Sequence, residues 1–444
     1  MLTSTHTFPK DFVWGAATSA FQIEGAASTD GRAASIWDTF CRQPGAIVDQ
    51  SNGDVACDHY HHLDADLDLM QRLGLQAYRF STSWSRVQPD GIGAWNPKGL
   101  DFYDRLIDGL LQRGITPYLT LYHWDLPQVL QDQGGWANRE VALRFVDYAE
   151  TMAERYGDRV ASIATHNEPW IVATLGHEHG IFAPGIKNRR TAFQVSHHLL
   201  LAHGMALLAL RAAGVKAPLG IVLNQGPIVP ATDSESDRAQ ARFEDGLLIR
   251  WYMDALFHGH YPADVLAHLG DDAPQVQDGD MRVIRTPLDF LGLNYYTRSI
   301  VGSEPPTHPP GTELTDMGWE VYPQGLTDLL VRLGREYPLP PLYITENGAA
   351  YPDVPSGEHV HDPLRADYLR RHIGAVREAI TAGVDVRGYF VWSLFDNFEW
   401  AFGYSKRFGM VYVDYASGQR IPKDSAFWYR DFIAAQSARH VTPL

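Results

Sequence analysis

Two segments of the chain are built alike, and each ends on a carboxylate. "VASIATHNEP" (160–169) is an apolar run that stops at Asn167, Glu168 and Pro169. "PLYITENGAA" (341–350) offers Leu342, Tyr343, Ile344 and Thr345, which suit a buried strand, and stops at Glu346, Asn347 and Gly348. A strand made for a core has no structural need of a glutamate at its end. Brought to one pocket, the two carboxyl groups could flank a single bond, which is the equipment for glycoside hydrolysis.

Other polar and aromatic residues stand at the ends of further apolar runs. Gln22 follows "FVWGAATSA" (12–20), Arg79 lies within "QAYRFSTS" (76–83), and His123 closes "TPYLTLYH" (116–123) with Trp124 next to it. Asn294 and Tyr296 close "LDFLGLNYY" (288–296). Trp392 sits in "VRGYFVWSLFD" (386–396), ahead of Glu399 and Trp400. Together these groups can hydrogen-bond several hydroxyls and stack on one ring. Taken singly, each is more simply a satisfied polar group at a loop junction. Their recurrence at the same end of successive strands is harder to explain that way. Arg79 keeps a structural alternative, pairing with any buried carboxylate. Paired with Glu346, it would keep that group ionised.

The elements that must position these residues alternate regularly. The seven strand-like segments already quoted, with "PLGIVLNQ" (218–225), make eight. Helical patterns fall between them: Leu63, Leu67, Met70 and Leu73, then stretches near 100–113, 139–156, 191–213, 236–256, 325–337, 363–382 and 425–436. Strand, helix, strand in repetition predicts parallel strands with crossover helices, and eight such units close into one (β/α)8 TIM barrel over residues 1–444. All strand C-termini then reach one face, where Glu168 and Glu346 can share a pocket. The Pro- and Gly-rich stretches 301–314 and 351–363 read as long loops on that face.

Composition limits the function classes. Of 444 residues, 45% are hydrophobic and 20% charged, an ordinary globular mixture. The 12 tryptophans serve either a large core or stacking surfaces for flat sugar faces. A formal net charge of −16 argues against nucleic acid and anionic membranes as partners, and for a small-molecule substrate. The first residues, "MLTSTHTFPKDF", show no secretion signal, and the apolar run 199–215 is too short and interrupted to span a bilayer and reads instead as a buried helix of the barrel. Only two cysteines, Cys41 and Cys57, occur, which suits a reducing cytoplasm better than a disulfide. His59, His61 and His62 cluster in "CDHYHHLDAD", but the spacing fits no metal motif and reads as the start of a helix; no metal or cofactor is expected.

Six motifs, "SAFQIEG", "YHWDLP", "THNEP", "LGLNYYT", "YITENG" and "VWSLFDNFEW", occur in that order. Together they closely resemble family 1 glycoside hydrolases of the bacterial β-glucosidase type, from about Phe8 to "KDSAFWYRDFI". The resemblance implies Glu346 as nucleophile and Glu168 as general acid and then base. It implies Gln22, His123, Asn167, Glu399 and Trp400 as ligands of the terminal sugar, with Trp124 and Asn294 beside them and Trp392 as the floor. Tyr296 and Arg79 would tune Glu346, and Trp319 would line the leaving-group side. One departure is His166, where an apolar or small residue is expected; it is also the only basic residue near Glu168 in sequence. Relatives acting on 6-phosphosugars resemble "DNFEWAFGYSKRFG" but carry a small hydroxyl residue at the Glu399 position, with Lys and Tyr further on. Here Glu399 and Phe408 occupy those places, and Lys406 and Arg407 read as solvated loop residues. A preferential transglycosylase would share both glutamates and differ only in its products.

Overall fold

The structure, a computed structural model, describes residues 8–302, 308 and 311–439. The expectation for the first seven residues and part of the 301–314 loop lie outside these. Eight strands form the centre: β1 (Val13–Ala17), β2 (Ala77–Ser81), β3 (Thr116–Tyr122), β4 (Ile163–Asn167), β5 (Leu219–Asn224), β6 (Phe290–Asn294), β7 (Leu342–Asn347) and β8 (Val386–Trp392). Each pairs in parallel with its neighbours in chain order, and β8 closes on β1. These strands are buried on both faces, which is why they read as nearly continuous apolar runs rather than as alternating ones.

A helix follows each strand on the outside: α1 (His59–Arg72), α2 (Pro97–Gln112), α3 (Glu140–Tyr156), α4 (Arg189–Ala212), α5 (Glu235–Asp245), α6 (Pro323–Glu336), α7 (Pro363–Thr381) and α8 (Asp424–Arg439). Their inner faces follow the helical period; α3 buries Val141, Phe145, Tyr148, Met152 and Tyr156. The predicted (β/α)8 barrel is therefore the observed one.

Only the length of the apolar run at 199–215 is a correction; its place, a buried helix of the barrel, is as expected. It belongs to α4, whose 24 residues are long and apolar enough, by length and composition alone, to cross a membrane. Most of its apolar window, 78%, is instead buried within the fold. His59, at the start of α1, bonds Asp66 at 2.8 Å, and His61 and His62 bond Asp58. Cys41 and Cys57 are buried free thiols, and burial pushes the Cys41 thiol up to about 12.

Candidate active site

Strand register sets the floor plan. Asn294 at the end of β6 lies opposite Glu346 in β7, while Ala17 lies between Trp392 in β8 and Arg79 in β2. The pairing shifts between Ala164 and Asn167 in β4 and between Leu293 and Asn294 in β6, next to residues that face the centre. Such irregularities re-aim side chains where a strand ends. Three residues at this face adopt left-handed backbone despite their side chains: Trp124 (φ 80°), Glu168 (φ 50°) and Trp400 (φ 49°). Each such residue costs on the order of 1 kcal/mol and persists only where its surroundings over-determine it.

One hydrogen-bonded network links the two glutamates. Arg79 Nη1 donates to Glu346 Oε1 at 2.7 Å, and the Tyr296 hydroxyl donates to Glu346 Oε2 at 2.7 Å. Arg79 Nη2 donates to Asn167 Oδ1 at 2.6 Å, and Asn294 Nδ2 reaches the same oxygen at 3.1 Å. Asn294 Nδ2 also donates to Glu168 Oε1 at 2.6 Å, while Thr345 fixes the other end of that amide at 2.7 Å. Asn167 Nδ2 donates to His123 Nε2 at 3.1 Å, so the second imidazole nitrogen carries the proton.

The environments separate the two carboxyls. Burial raises Glu168 well above the ordinary range, and the charge of Glu346 raises it further; the Asn294 amide and the charge of Arg79 counter in part. Burial raises Glu346 too, but Arg79 and Tyr296 pull it back. Glu346 stays raised overall but less than Glu168, so of the pair Glu346 is the carboxyl that loses its proton first and Glu168 the one that keeps it. His123 is kept neutral by burial and by Arg79. His166 is no partner of Glu168: it lies in the layer between barrel and helices, stacked on Phe145 at 4.4 Å and edge-on to Trp136, and burial keeps it neutral.

A second cluster holds Glu399. Gln22 Nε2 donates to Asn397 Oδ1 and to the Phe398 carbonyl, each at 3.0 Å, and lies 3.4 Å from Glu399 Oε2. Glu399 is half-buried; burial and the charge of Glu346 push its carboxyl up to about 8. Trp392 and Trp400 stack beside His123 at 5.9 and 6.0 Å. Trp124 packs on Trp400 at 4.5 Å and spends its indole N–H on the Asn167 carbonyl, so it braces the wall. Trp319 is half-buried beside Tyr296, and buried Phe408 packs behind both. The glycine of "TENG" has a steric cause: a Cβ at Gly348 would stand 1.6 Å from the Trp392 carbonyl oxygen.

Lys406 and Arg407 are not solvated loop cations. Lys406 Nζ donates to the Asp316 carbonyl at 2.7 Å and to its carboxylate at 3.0 Å, and Arg407 binds Asp396 at 2.7 Å. Their partners lie on loops distant in sequence or on the other arm of the same loop, so sequence alone could not pair them. Two further residues serve the site: Thr345, expected only as a strand residue, and Asn397. Both stand inside quoted motifs, and a buried amide that needs four partners was the available signal. Among the described residues, no three His, Cys, Asp or Glu side chains gather to hold a metal ion.

The chain matches the family model for glycosyl hydrolase family 1 over residues 4–438. It is 47% identical over 434 residues to beta-glucosidase A of Thermotoga maritima, covering 96% of this chain and 97% of that protein. It is 46% identical over 466 residues to a bifunctional beta-D-glucosidase/beta-D-fucosidase of Bifidobacterium breve, covering 98% and 100% of the two chains. Among solved structures, the family 1 β-glucosidase of T. maritima superposes with a TM-score of 0.94 at 46% identity, covering 98% of this chain and 99% of that one. The beta-glucosidase from T. maritima in complex with glucoimidazole gives a TM-score of 0.94 at 46% identity, covering 97% of this chain and 100% of that one.

Proposed function

The chain belongs to glycosyl hydrolase family 1, and from that premise we propose the following division of labour in a β-glucosidase that acts with retention. It releases terminal β-D-glucosyl residues, and galactosyl or fucosyl ones, from oligosaccharides and from aryl or alkyl glycosides. Glu346 attacks the anomeric carbon as its bond to the leaving oxygen breaks, and Glu168 gives that oxygen its proton. Water then attacks the glycosyl–Glu346 ester, losing a proton to Glu168, and the sugar leaves with its configuration kept.

The observation that carries this assignment is the unequal support of the two carboxyls. Glu346 has a cation and a phenol; Glu168 has one amide. Gln22, His123, Asn167 and Glu399 take the hydroxyls of the terminal sugar, with Trp392 beneath it and Trp319 toward the leaving group. Glu399 and Phe408, standing where relatives acting on 6-phosphosugars carry a small hydroxyl residue and a tyrosine, and a Lys406 already bound to Asp316, disfavour a 6-phosphate. The chain acts as one catalytic domain. The two free thiols support a cytoplasmic site of action; cellulose-derived oligosaccharides are the substrates that a terminal β-glucosyl preference suits.

Proton NMR of the first product tests the assignment. The β-anomer should appear first and equilibrate later; an α-anomer formed first would overturn the double displacement.

A further inference from the structure

Behind the loop that carries Glu399 lies a set of buried charges that the reaction does not touch. We propose that Lys423 is a positioning residue for recognition of the terminal sugar, clamping Asp396 so that the loop after β8 presents Glu399 to the sugar hydroxyls. The proposal rests on the reading of Glu399 given above.

Lys423 immediately precedes α8, and its side chain is fully buried. Its Nζ donates to Asp396 Oδ1 at 2.7 Å and to Asp353. Asp396 stands on the outgoing arm of the loop, three residues before Glu399. Its other oxygen accepts from Arg407 on the returning arm at 2.7 Å, and Oδ1 also accepts the Gly409 backbone N–H at 2.9 Å. One carboxylate therefore fastens both arms. The arms approach so closely that a Cβ at Gly409 would stand 2.0 Å from the Asp396 nitrogen. What they carry faces the substrate pocket. Asn397, next to Asp396, holds Gln22 at 3.0 Å, and Phe408, between Arg407 and Gly409, backs Tyr296 and Trp319.

The same ammonium ties in the loop after β7. Asp353 also accepts from Arg365 at 2.6 Å, and Arg365 donates to the Arg407 carbonyl at 2.8 Å and pairs with Asp362. Three cations thus balance three aspartates in a dry place. Buried charges persist only when paired. Without Nζ, Asp353 and Asp396 share a site with one cation too few, and repulsion opens the loop just where Glu399 begins.

The test is selectivity rather than rate. For an aryl β-D-glucoside and its 4-deoxy and 6-deoxy analogues, the ratio of kcat/KM values does not depend on how much of a preparation is folded. Glu399→Ala sets the reference, with a much lowered ratio. Lys423→Met should lower the ratio about tenfold, the scale of one charge-assisted hydrogen bond, and leave the dependence on leaving-group pKa as in the wild type. Asp353→Asn keeps the bond from Lys423 to Asp396 and should leave the ratio unchanged. If Lys423→Met yields no folded protein, Asp396→Asn carries the same measurement with the same expected fall. An equal loss of kcat/KM on all three substrates, with Glu399→Ala still lowering the ratio, would overturn the proposal and make Lys423 a residue of the fold alone. An unchanged ratio in Glu399→Ala would instead overturn the reading of Glu399, and the proposal with it.

Discussion

At the scale of single residues, the chemistry depends on what touches each carboxyl. Glu168 meets an amide and the field of Glu346, so it stays protonated until the leaving oxygen needs its proton. Glu168→Ala should therefore harm alkyl glycosides far more than nitrophenyl glycosides in the first step, because a good leaving group departs unaided. A Brønsted plot of pre-steady-state rates checks this; a uniform loss across the series would contradict it. Arg79 does the opposite work on Glu346. Arg79→Met removes the cation that holds Glu346 down, so the carboxyl rises. The acid limb of the kcat/KM profile should then move to higher pH by about one to three units, while the alkaline limb, set by Glu168, which Arg79 touches through its charge but not by a hydrogen bond, should move less. A profile that only scales down, with both limbs unmoved, would show that Arg79 does not tune Glu346.

At the scale of elements, β7 and β8 deliver the nucleophile and the floor of the sugar site side by side. Their C-terminal ends run so close that Gly348 has no room for a side chain beside the Trp392 carbonyl. Gly348→Ala must push the strand ends apart, at a cost of about 1–3 kcal/mol in stability. It should also lower kcat/KM, because Glu346 is two residues away. Thermal unfolding and steady-state kinetics on one sample check both; a variant equal to the wild type in Tm and turnover would show that the ends part freely. The same scale explains what the motifs signalled. "TENG" and "DNFEW" pair residue types that only make sense together: a glycine for another strand's carbonyl, an amide for Gln22.

At the scale of the whole molecule, burial of ionisable groups sets how stability depends on pH. Asp125 is pushed up to about 7 and Glu399 to about 8, both chiefly by burial. Between about 4.5 and 8 the folded chain holds protons there that the unfolded chain has released, so stability falls as the pH rises through that window. The buried histidines act the other way. His177 and His198 are lowered to about 4, and His203 and His372 to about 3, again by burial. Below about 6.5 the unfolded chain takes up protons that these refuse, so stability also falls as the pH drops. Tm should therefore peak between about pH 4.5 and 6.5, and Glu399→Gln should flatten the alkaline side while lowering turnover. Scanning calorimetry from pH 4 to 9 checks the position of the peak; a maximum above pH 8 would contradict it.

The barrel, its eight strands and the two glutamates were legible in the sequence because they depend on local patterns. A strand buried on both faces must be apolar, a helix packed on one face must repeat every three or four residues, and a polar residue at the end of such a strand stands out. Partnership was less legible. Glu346 could be named as the partner of Arg79 only as one of several buried carboxylates or through the family resemblance; that His166 turns away from Glu168 into the helix layer, and that Lys406 and Arg407 are tied to Asp316 and Asp396, depend on residues from 11 to 90 positions apart or on which face of a strand a side chain takes. For α4 the buried place was legible but the length was not: the interruptions at His203, Gly204 and Arg211 hid a helix of 24 residues whose apolar window lies mostly within the fold. Residue type can be read along the chain, whereas the field at a carboxyl is the sum of charges that folding alone brings within a few ångströms.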